Sequence, residues 1–169
     1  LKTMNTEQMG NYLGIESLFN TSDTDKNSIA AALVELFHKT FDFSITTCDE
    51  ESYNATIQTE ITTFDSNAIL TAYQNELDAY ICSADAVIDG STKRYEKSMQ
   101  MLLSNIESNT ATIQTAAVFH LTNDGVSWKL QDSNTSIGNA IFGTLSSSPV
   151  SENTSTTADT SENESNLEE

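Results

Sequence analysis

The chain has 169 residues, which suits one domain with an appended tail. It carries 7 Lys and Arg against 25 Asp and Glu, a net charge of −18. That charge argues against binding nucleic acids or anionic membrane surfaces, because both are themselves negative. With 2 cysteines, the chain is neither a disulfide-dense scaffold nor a multi-cysteine zinc module.

The first predicted elements are two helices followed by two strands. A helix is expected over about 7–18 and a second over about 25–40, where apolar residues recur at helical spacing. Ser22, with Asp25 three residues later, is typical of a helix N-cap. The apolar residues then alternate with polar ones, which predicts strands over 41–48 and 54–64 joined by the acidic segment 49–52.

The second half of the domain repeats this order. A helix is predicted from Asp65 or Ser66 to Gly90, and another from Ser91 to about Ile106, forming an antiparallel pair. Alternating strands follow on either side of the turn at 123–125, and a short helix over 136–145 ends the pattern. The order α-α-β-β-α-α-β-β-α predicts an α+β fold with helices on one face of an antiparallel sheet.

The predicted domain covers residues 1–145, and residues 146–169 form a separate tail. The tail is rich in Ser and Thr and holds 6 acids but no base. It has too few apolar residues to offset the entropy lost on ordering, so we expect it to be disordered. The domain itself keeps 19 of the acids and is therefore acidic in its own right.

No catalytic motif is present in the sequence. There is no nucleophile elbow, phosphate-binding glycine loop, zinc-protease motif or dinucleotide fingerprint. The predicted apolar strand faces also carry no ionisable residue. We therefore expect no enzyme activity, no cofactor and no metal site.

Two charged groups have simpler explanations than ligand binding. Asp23 and Asp25 begin a pattern like a calcium loop, but Ser28 stands where that loop needs glycine, and helix capping explains both acids. The only basic cluster is Lys93, Arg94 and Lys97. Pairing with nearby acids is its simplest explanation, and an anion site is the alternative.

The histidines and cysteines do not form a recognisable site. His38 and His120 are expected at the surface, and the sequence places no acid to orient either ring. Cys48 and Cys82 are expected off the main apolar face. The sequence does not decide whether a disulfide joins the two cysteines.

Four aromatic residues are the candidate ligand-binding residues. Tyr73, Tyr80 and Tyr95 lie on helix positions that face the sheet, and Trp128 lies on an apolar strand face. Such tyrosines usually belong to the core with the hydroxyl at its edge. If the helices and a curved sheet enclose a cavity, these side chains would line it.

Five segments together resemble a known family. They are 22–26, 41–43, 88–92 together with Arg94, Tyr95 and Ser98, 126–130 and 139–143. With these segments the chain resembles secreted lipoproteins of Gram-positive, largely clostridial bacteria. The resemblance covers about residues 10–145. It implies a nuclear-transport-factor-like or cystatin-like α+β fold and a position outside the cell. It also implies tethering through a lipid anchor that is not part of this sequence.

The sequence therefore favours a non-catalytic binding or accessory domain. Its expected partner is a small molecule, a protein or a cell-wall component, and not a nucleic acid. The alternative is a small acid–base enzyme of the isomerase or dehydratase kind, with its active site in the cup between helices and sheet. Ala116 and Val118 lie on the otherwise polar sheet face, which leaves a homodimer open.

Overall fold

The computed structural model describes residues 5–132 and 134–146. These residues form helices and strands in the predicted α+β order, so the predicted fold class is confirmed. The predicted tail lies outside the described residues, apart from Ser146. The elements are α1 (Thr6–Leu13), α2 (Ile15–Phe19), α3 (Asp23–Thr40), β1 (Asp42–Glu51), β2 (Asn54–Phe64), α4 (Ser66–Ile81), α5 (Ala84–Ile88), α6 (Ser91–Ser108), β3 (Thr112–Asn123), β4 (Trp128–Leu130), α7 (Asn134–Phe142) and a 3-10 turn (Gly143–Ser146).

Short polar side chains fix where two of the long helices begin. The Ser22 hydroxyl accepts a hydrogen bond from the backbone N–H of Asp25 at the start of α3. The Asp65 carboxylate accepts from the N–H groups of Asn67 and Ala68 at the start of α4. These caps satisfy amides that have no partner inside the helix. Both helices begin where the sequence predicts.

Two predicted helices are each divided in the structure. The helix predicted over 7–18 is split into α1 and α2 at Gly14, whose φ of 58° is left-handed. The helix predicted to run to Gly90 stops at Ile81, and Ser83 caps the separate helix α5. The helical spacing of apolar residues continues across both breaks. For that reason the pattern alone predicts one helix in each place.

The four strands form one antiparallel sheet in the order β1-β2-β3-β4. Three of the four residues in the predicted connecting segment 49–52 belong to β1 instead, which continues to Glu51. The turn is only Ser52 and Tyr53, and Ser52 has a left-handed φ of 55°. Because the turn is so short, residues 49–51 pair with β2 as part of the strand, and their side chains point alternately to opposite faces of the sheet.

The register defines two faces of the sheet. We call the face that contains Ile57 and Ile61 the inner face and the other the outer face. Cys48 and Phe119 both lie opposite Ile57, so both share the inner face. Cys48 reaches this position because a β-bulge at residue 46 adds one residue between Ile45 and Thr47. The prediction that Cys48 lies off the apolar face is therefore wrong.

The helices cover only part of the inner face. Helices α3 and α7 contact β2, where the inner-face residues Ile61 and Thr63 are 3% and 2% exposed. Farther along the same face, Ile45 is 57% exposed and Leu130 is 49% exposed. The hydrophobic core thus lies at one end of the sheet. Its fully buried large side chains include Met9, Leu13, Ile15, Ile29, Leu33, Phe37, Phe64, Leu102, Ile106 and Phe142.

The outer face is polar and exposed, as the alternation predicts. Ser44, Gln58 and Glu60 on this face are exposed, and Val118 is 50% exposed. Whether a second copy covers Ala116 and Val118 stays a prediction. Among the described residues, no helix is long and apolar enough to cross a membrane.

Candidate functional site

An open apolar groove occupies the uncovered part of the inner face. Its volume is about 560 Å³, which is within the range of small-molecule sites. Strand residues form its floor and helix α7 forms one wall. The lining residues are Phe41, Phe43, Ile45, Ile57, Thr59, Ile61, Phe119, Leu121, Leu130, Ile137 and Ile141.

The floor of the groove follows from the strand register. Phe43 lies opposite Ile61, and Leu121 lies opposite Leu130, so side chains from all four strands meet on one face. Beside them, the ring of Phe41 lies 6.1 Å from that of Phe43, centroid to centroid. It also stacks at 4.6 Å on Phe37, which is buried in the core. The closed end of the groove is therefore continuous with the core.

The chemistry of the lining is uniformly apolar. Ten of its side chains are aliphatic or aromatic, and the remaining one is Thr59. The Thr59 hydroxyl donates a hydrogen bond to the carbonyl oxygen of Ala117 at 3.2 Å, within the sheet. Such a surface can gain free energy by removing apolar area from water. Its lining side chains offer no acid, base or nucleophile for a reaction.

Two exposed aromatic residues, Tyr53 and Trp128, lie beside Asn123, beyond the strand residues that line the groove. The backbone N–H of Asn123 donates to the Tyr53 carbonyl at 2.7 Å, which brings the β1–β2 turn against β3. Trp128 pairs with Asn123 and lies two residues before Leu130 on the inner face. Tyr53 is 65% exposed and Trp128 is 38% exposed. Aromatic side chains with one apolar and one polar part are frequent where proteins bind partners.

The three candidate tyrosines lie among the helices and are not part of this lining. Tyr73 shares a 2.7 Å hydrogen bond with Ser98, which joins α4 to α6. The Tyr95 hydroxyl donates to Asp25 at 2.8 Å and thereby joins α6 to α3. Their hydroxyls act as links between helices. A ligand-binding role for Tyr73, Tyr80, Tyr95 and Trp128 stays a prediction.

Asp25 has a structural explanation within this network. Its carboxylate accepts hydrogen bonds from the hydroxyls of Ser22, at 2.7 Å, and Tyr95. These two bonds lower the pKa of Asp25, and the bond from Ser22 has the larger effect. The calcium-like pattern in the sequence thus forms a helix cap, as we expected.

The basic cluster surrounds one buried acid. Asp89 is 5% exposed, and its carboxylate lies 2.7 Å from the ammonium groups of both Lys93 and Lys97. The Tyr80 hydroxyl donates to the same carboxylate at 2.8 Å, and Nε of Arg94 donates to the Asp89 carbonyl. The two ammonium groups hold the pKa of Asp89 well below its usual range. The predicted pairing of this cluster with nearby acids is confirmed.

His120 does have an acid beside it, contrary to the prediction. Asp132 Oδ1 lies 3.1 Å from His120 Nδ1, and Oδ2 accepts a 2.6 Å hydrogen bond from the His120 backbone N–H. These contacts lower the pKa of Asp132, the backbone bond having the largest effect. The return of the chain after β4 brings Asp132 next to β3. Because His120 and Asp132 are twelve residues apart in the sequence, no local pattern predicts their contact.

The two cysteines are both free and exposed. No disulfide therefore joins Cys48 to Cys82, which closes the alternative that the sequence left open. Cys48 lies on the inner face opposite Ile57, at the open part of the sheet. Cys82 lies far away in sequence, at the end of α4.

The fold is similar to that of a candidate lipoprotein, YcdA, from Bacillus subtilis, known from a crystal structure. The two chains share 12% sequence identity with a TM-score of 0.56. The similarity covers 79% of this chain and 43% of the neighbour, so the chain spans less than half of that protein's length. Comparisons with protein-family models and with curated sequences give no match. At this level of identity the likeness shows a shared α+β fold.

Proposed function

We propose that this chain is a non-catalytic binding domain whose binding surface is the apolar groove on the inner face. The observation that carries the proposal is a groove of about 560 Å³ whose half-exposed apolar side chains have no cover among the described residues. Large exposed apolar patches are uncommon on soluble proteins and usually mark sites of interaction. The ligand class that fits such a lining is an apolar chain or an apolar protein segment.

The lining also favours binding over the acid–base alternative. An isomerase or dehydratase needs a positioned proton donor or acceptor within hydrogen-bond reach of the substrate. The side chains that line the groove are aliphatic, aromatic or, at Thr59, a hydroxyl already bonded to Ala117. The contact between His120 and Asp132 lies on the outer-face side of β3 and outside the groove.

The proposed setting is the cell exterior, on a lipid-anchored protein. The resemblance of the sequence to secreted lipoproteins supports this setting, and so does the similar fold of the candidate lipoprotein YcdA. The nuclear-transport-factor-like or cystatin-like assignment belongs to the same proposal. The net charge of −18 makes nucleic acid an unsuitable partner.

A neutral apolar dye tests the proposed binding surface. Nile red is suitable because its neutral ring system is not repelled by the acidic protein, and its fluorescence rises in apolar surroundings. We expect the wild-type protein to bind it. The variant Leu130→Glu should weaken binding at least about tenfold, because an ionised carboxylate in an apolar contact loses hydration.

Val118→Glu provides a matched control. Val118 is 50% exposed and Leu130 is 49% exposed, but Val118 lies on the outer face. The control variant should bind Nile red as the wild type does. Equal loss of binding in both variants, or no binding by the wild-type protein, would contradict the proposed function.

A further inference from the structure

Strand β1 is an open edge of the sheet. It lies at one end of the order β1-β2-β3-β4 and pairs with β2 alone among the described strands. All ten of its residues are exposed. An edge strand of this length presents a row of backbone N–H and C=O groups to which another strand can be added. The opposite edge, β4, is only three residues long.

The two faces of β1 differ sharply in chemistry. Phe43 and Ile45 lie on the inner face, where both line the groove. Asp42, Asp49 and Glu51 lie on the outer face, opposite Thr62, Thr56 and Asn54 of β2. Glu50 also lies on the inner face, opposite Ala55 near the end of β1. An added strand would therefore meet an apolar surface beside Phe43 and Ile45 on the inner face and carboxylates along the outer face.

We propose that β1 binds an extended segment of another protein in which apolar and basic residues alternate. This inference rests on the proposed function and names the partner of the same groove. The segment adds a strand beside β1, so that its apolar side chains enter the groove. Its Lys or Arg side chains then face Asp42, Asp49 and Glu51. Main-chain hydrogen bonds supply affinity, and the alternation supplies specificity.

Charge makes a second copy of this chain an unsuitable occupant. Each copy carries a net charge of −18, and pairing β1 with β1 would bring its carboxylates together. The predicted tail holds 6 acids and no base, so its charge is also wrong. Acids and a bulge on an edge strand oppose pairing with unrelated edges. The same acids attract a basic segment, so the edge strand discriminates in favour of a basic partner.

A synthetic peptide of eight residues, alternating lysine and valine, tests this proposal by fluorescence anisotropy. We expect it to bind and to compete with Nile red. A peptide with the same residues in two blocks should bind at least about fivefold more weakly, since its valines cannot share one face. An alternating glutamate–valine peptide should not bind.

Backbone methylation separates strand addition from simple charge attraction. Only every second N–H of an added strand faces its neighbour. Two methylated versions of the alternating peptide are compared, one with every valine amide nitrogen methylated and one with every lysine amide nitrogen methylated. One of them should lose binding, and the other should bind almost as well as the unmodified peptide. Equal effects in both would overturn strand addition.

Charge reversal on β1 tests the role of its acids. The double variant Asp49→Lys, Glu51→Lys should bind the alternating peptide about tenfold more weakly than wild type. Asp78→Lys with Glu107→Lys is the matched control, because both residues are exposed on helices and the net charge changes equally. If both double variants lose binding equally, the acids of β1 have no specific role and the proposal is wrong.

The outcomes separate this inference from the proposed function. Nile red binding that depends on Leu130, without binding of the peptide, would overturn strand addition and leave the groove as a binding surface. If the wild-type protein binds neither Nile red nor the peptide, the proposed function itself is wrong. Dimerisation of the wild-type protein in sedimentation experiments, blocked by Ile45→Glu on the inner face of β1 but not by Val118→Glu, would identify a second copy as the occupant and contradict the proposal.

Discussion

The Tyr80 hydroxyl donates a 2.8 Å hydrogen bond to the Asp89 carboxylate, and this buried pair ties the end of α4 to the C-terminal end of α5. Lys97 completes the contact, since its ammonium group lies 2.7 Å from Asp89 and 4.9 Å from the centre of the Tyr80 ring. A candidate ligand-binding tyrosine therefore has a structural partner.

Replacing Asp89 should destabilise the fold in a pH-dependent way. The pKa of Asp89 is lower in the folded chain than the usual value of about 3.9 for an unfolded chain. Its carboxylate thus stabilises the protein above about pH 4 and loses this effect as the pH falls toward its folded pKa. We expect Asp89→Asn to lower the Tm by several degrees at pH 7 and by much less near pH 2. Thermal unfolding between these pH values checks this, with exposed Asp78→Asn as the control. A Tm difference that is the same at every pH would contradict the explanation.

The packing of α7 should depend on Gly138. A methyl group at Gly138 would overlap the hydroxyl of Tyr12, whose ring also packs 5.8 Å from that of Phe142. Gly138→Ala should therefore destabilise the protein by about 1 kcal/mol, because overpacking outweighs the helix propensity of alanine. In a Tyr12→Ala background the same change should stabilise by up to about 1 kcal/mol. Urea unfolding of the four proteins measures this reversal, and the same sign in both backgrounds would refute it.

The two thiols should respond differently to a ligand in the groove. Cys48 lies on the inner face opposite Ile57, whereas Cys82 ends α4. We expect saturating Nile red to slow the reaction of Cys48 with a thiol reagent severalfold and to leave Cys82 unchanged. The single variants Cys48→Ser and Cys82→Ser allow each rate to be measured alone. Equal slowing at both sites would mean that the dye does not report on the groove.

Asp132 should hold the end of β3 in place. Its carboxylate accepts a hydrogen bond from the His120 backbone N–H, and the Gln131 N–H donates to the His120 carbonyl at 2.8 Å. Asp132→Ala should speed hydrogen exchange of the His120 amide and cost about 1 kcal/mol of stability. NMR-detected exchange tests this, with Asp78→Ala as the comparison. Unchanged protection of the His120 amide would show that the carboxylate is dispensable.

Local patterns predicted most of the elements but not the exposure of the inner face. Alternation identified Phe43, Ile57 and Phe119 as one apolar face, because side-chain direction follows directly from strand geometry. How far the helices extend over that face depends on tertiary packing. The open groove was therefore not visible in the sequence.

Other differences have equally local causes. The bulge at residue 46 inserts one residue without breaking the polar character of the segment, so strict alternation predicts the wrong face for Cys48. Gly14 and Ser83 divide helices whose apolar spacing continues across the break. The contact of His120 with Asp132 arises from the path of the chain after β4.

An NMR titration of methyl groups with 1-octanol tests the central claim most directly, because it maps binding on the unmodified protein. Ile45 is 57% exposed on the inner face and Ile81 is 58% exposed on α4, so the two differ in place but not in exposure. The groove predicts contacts between the octanol chain and the methyl groups of Ile45 and Leu130, with none to Ile81 or Val118. Contacts spread equally over all four residues would contradict the groove as the binding surface.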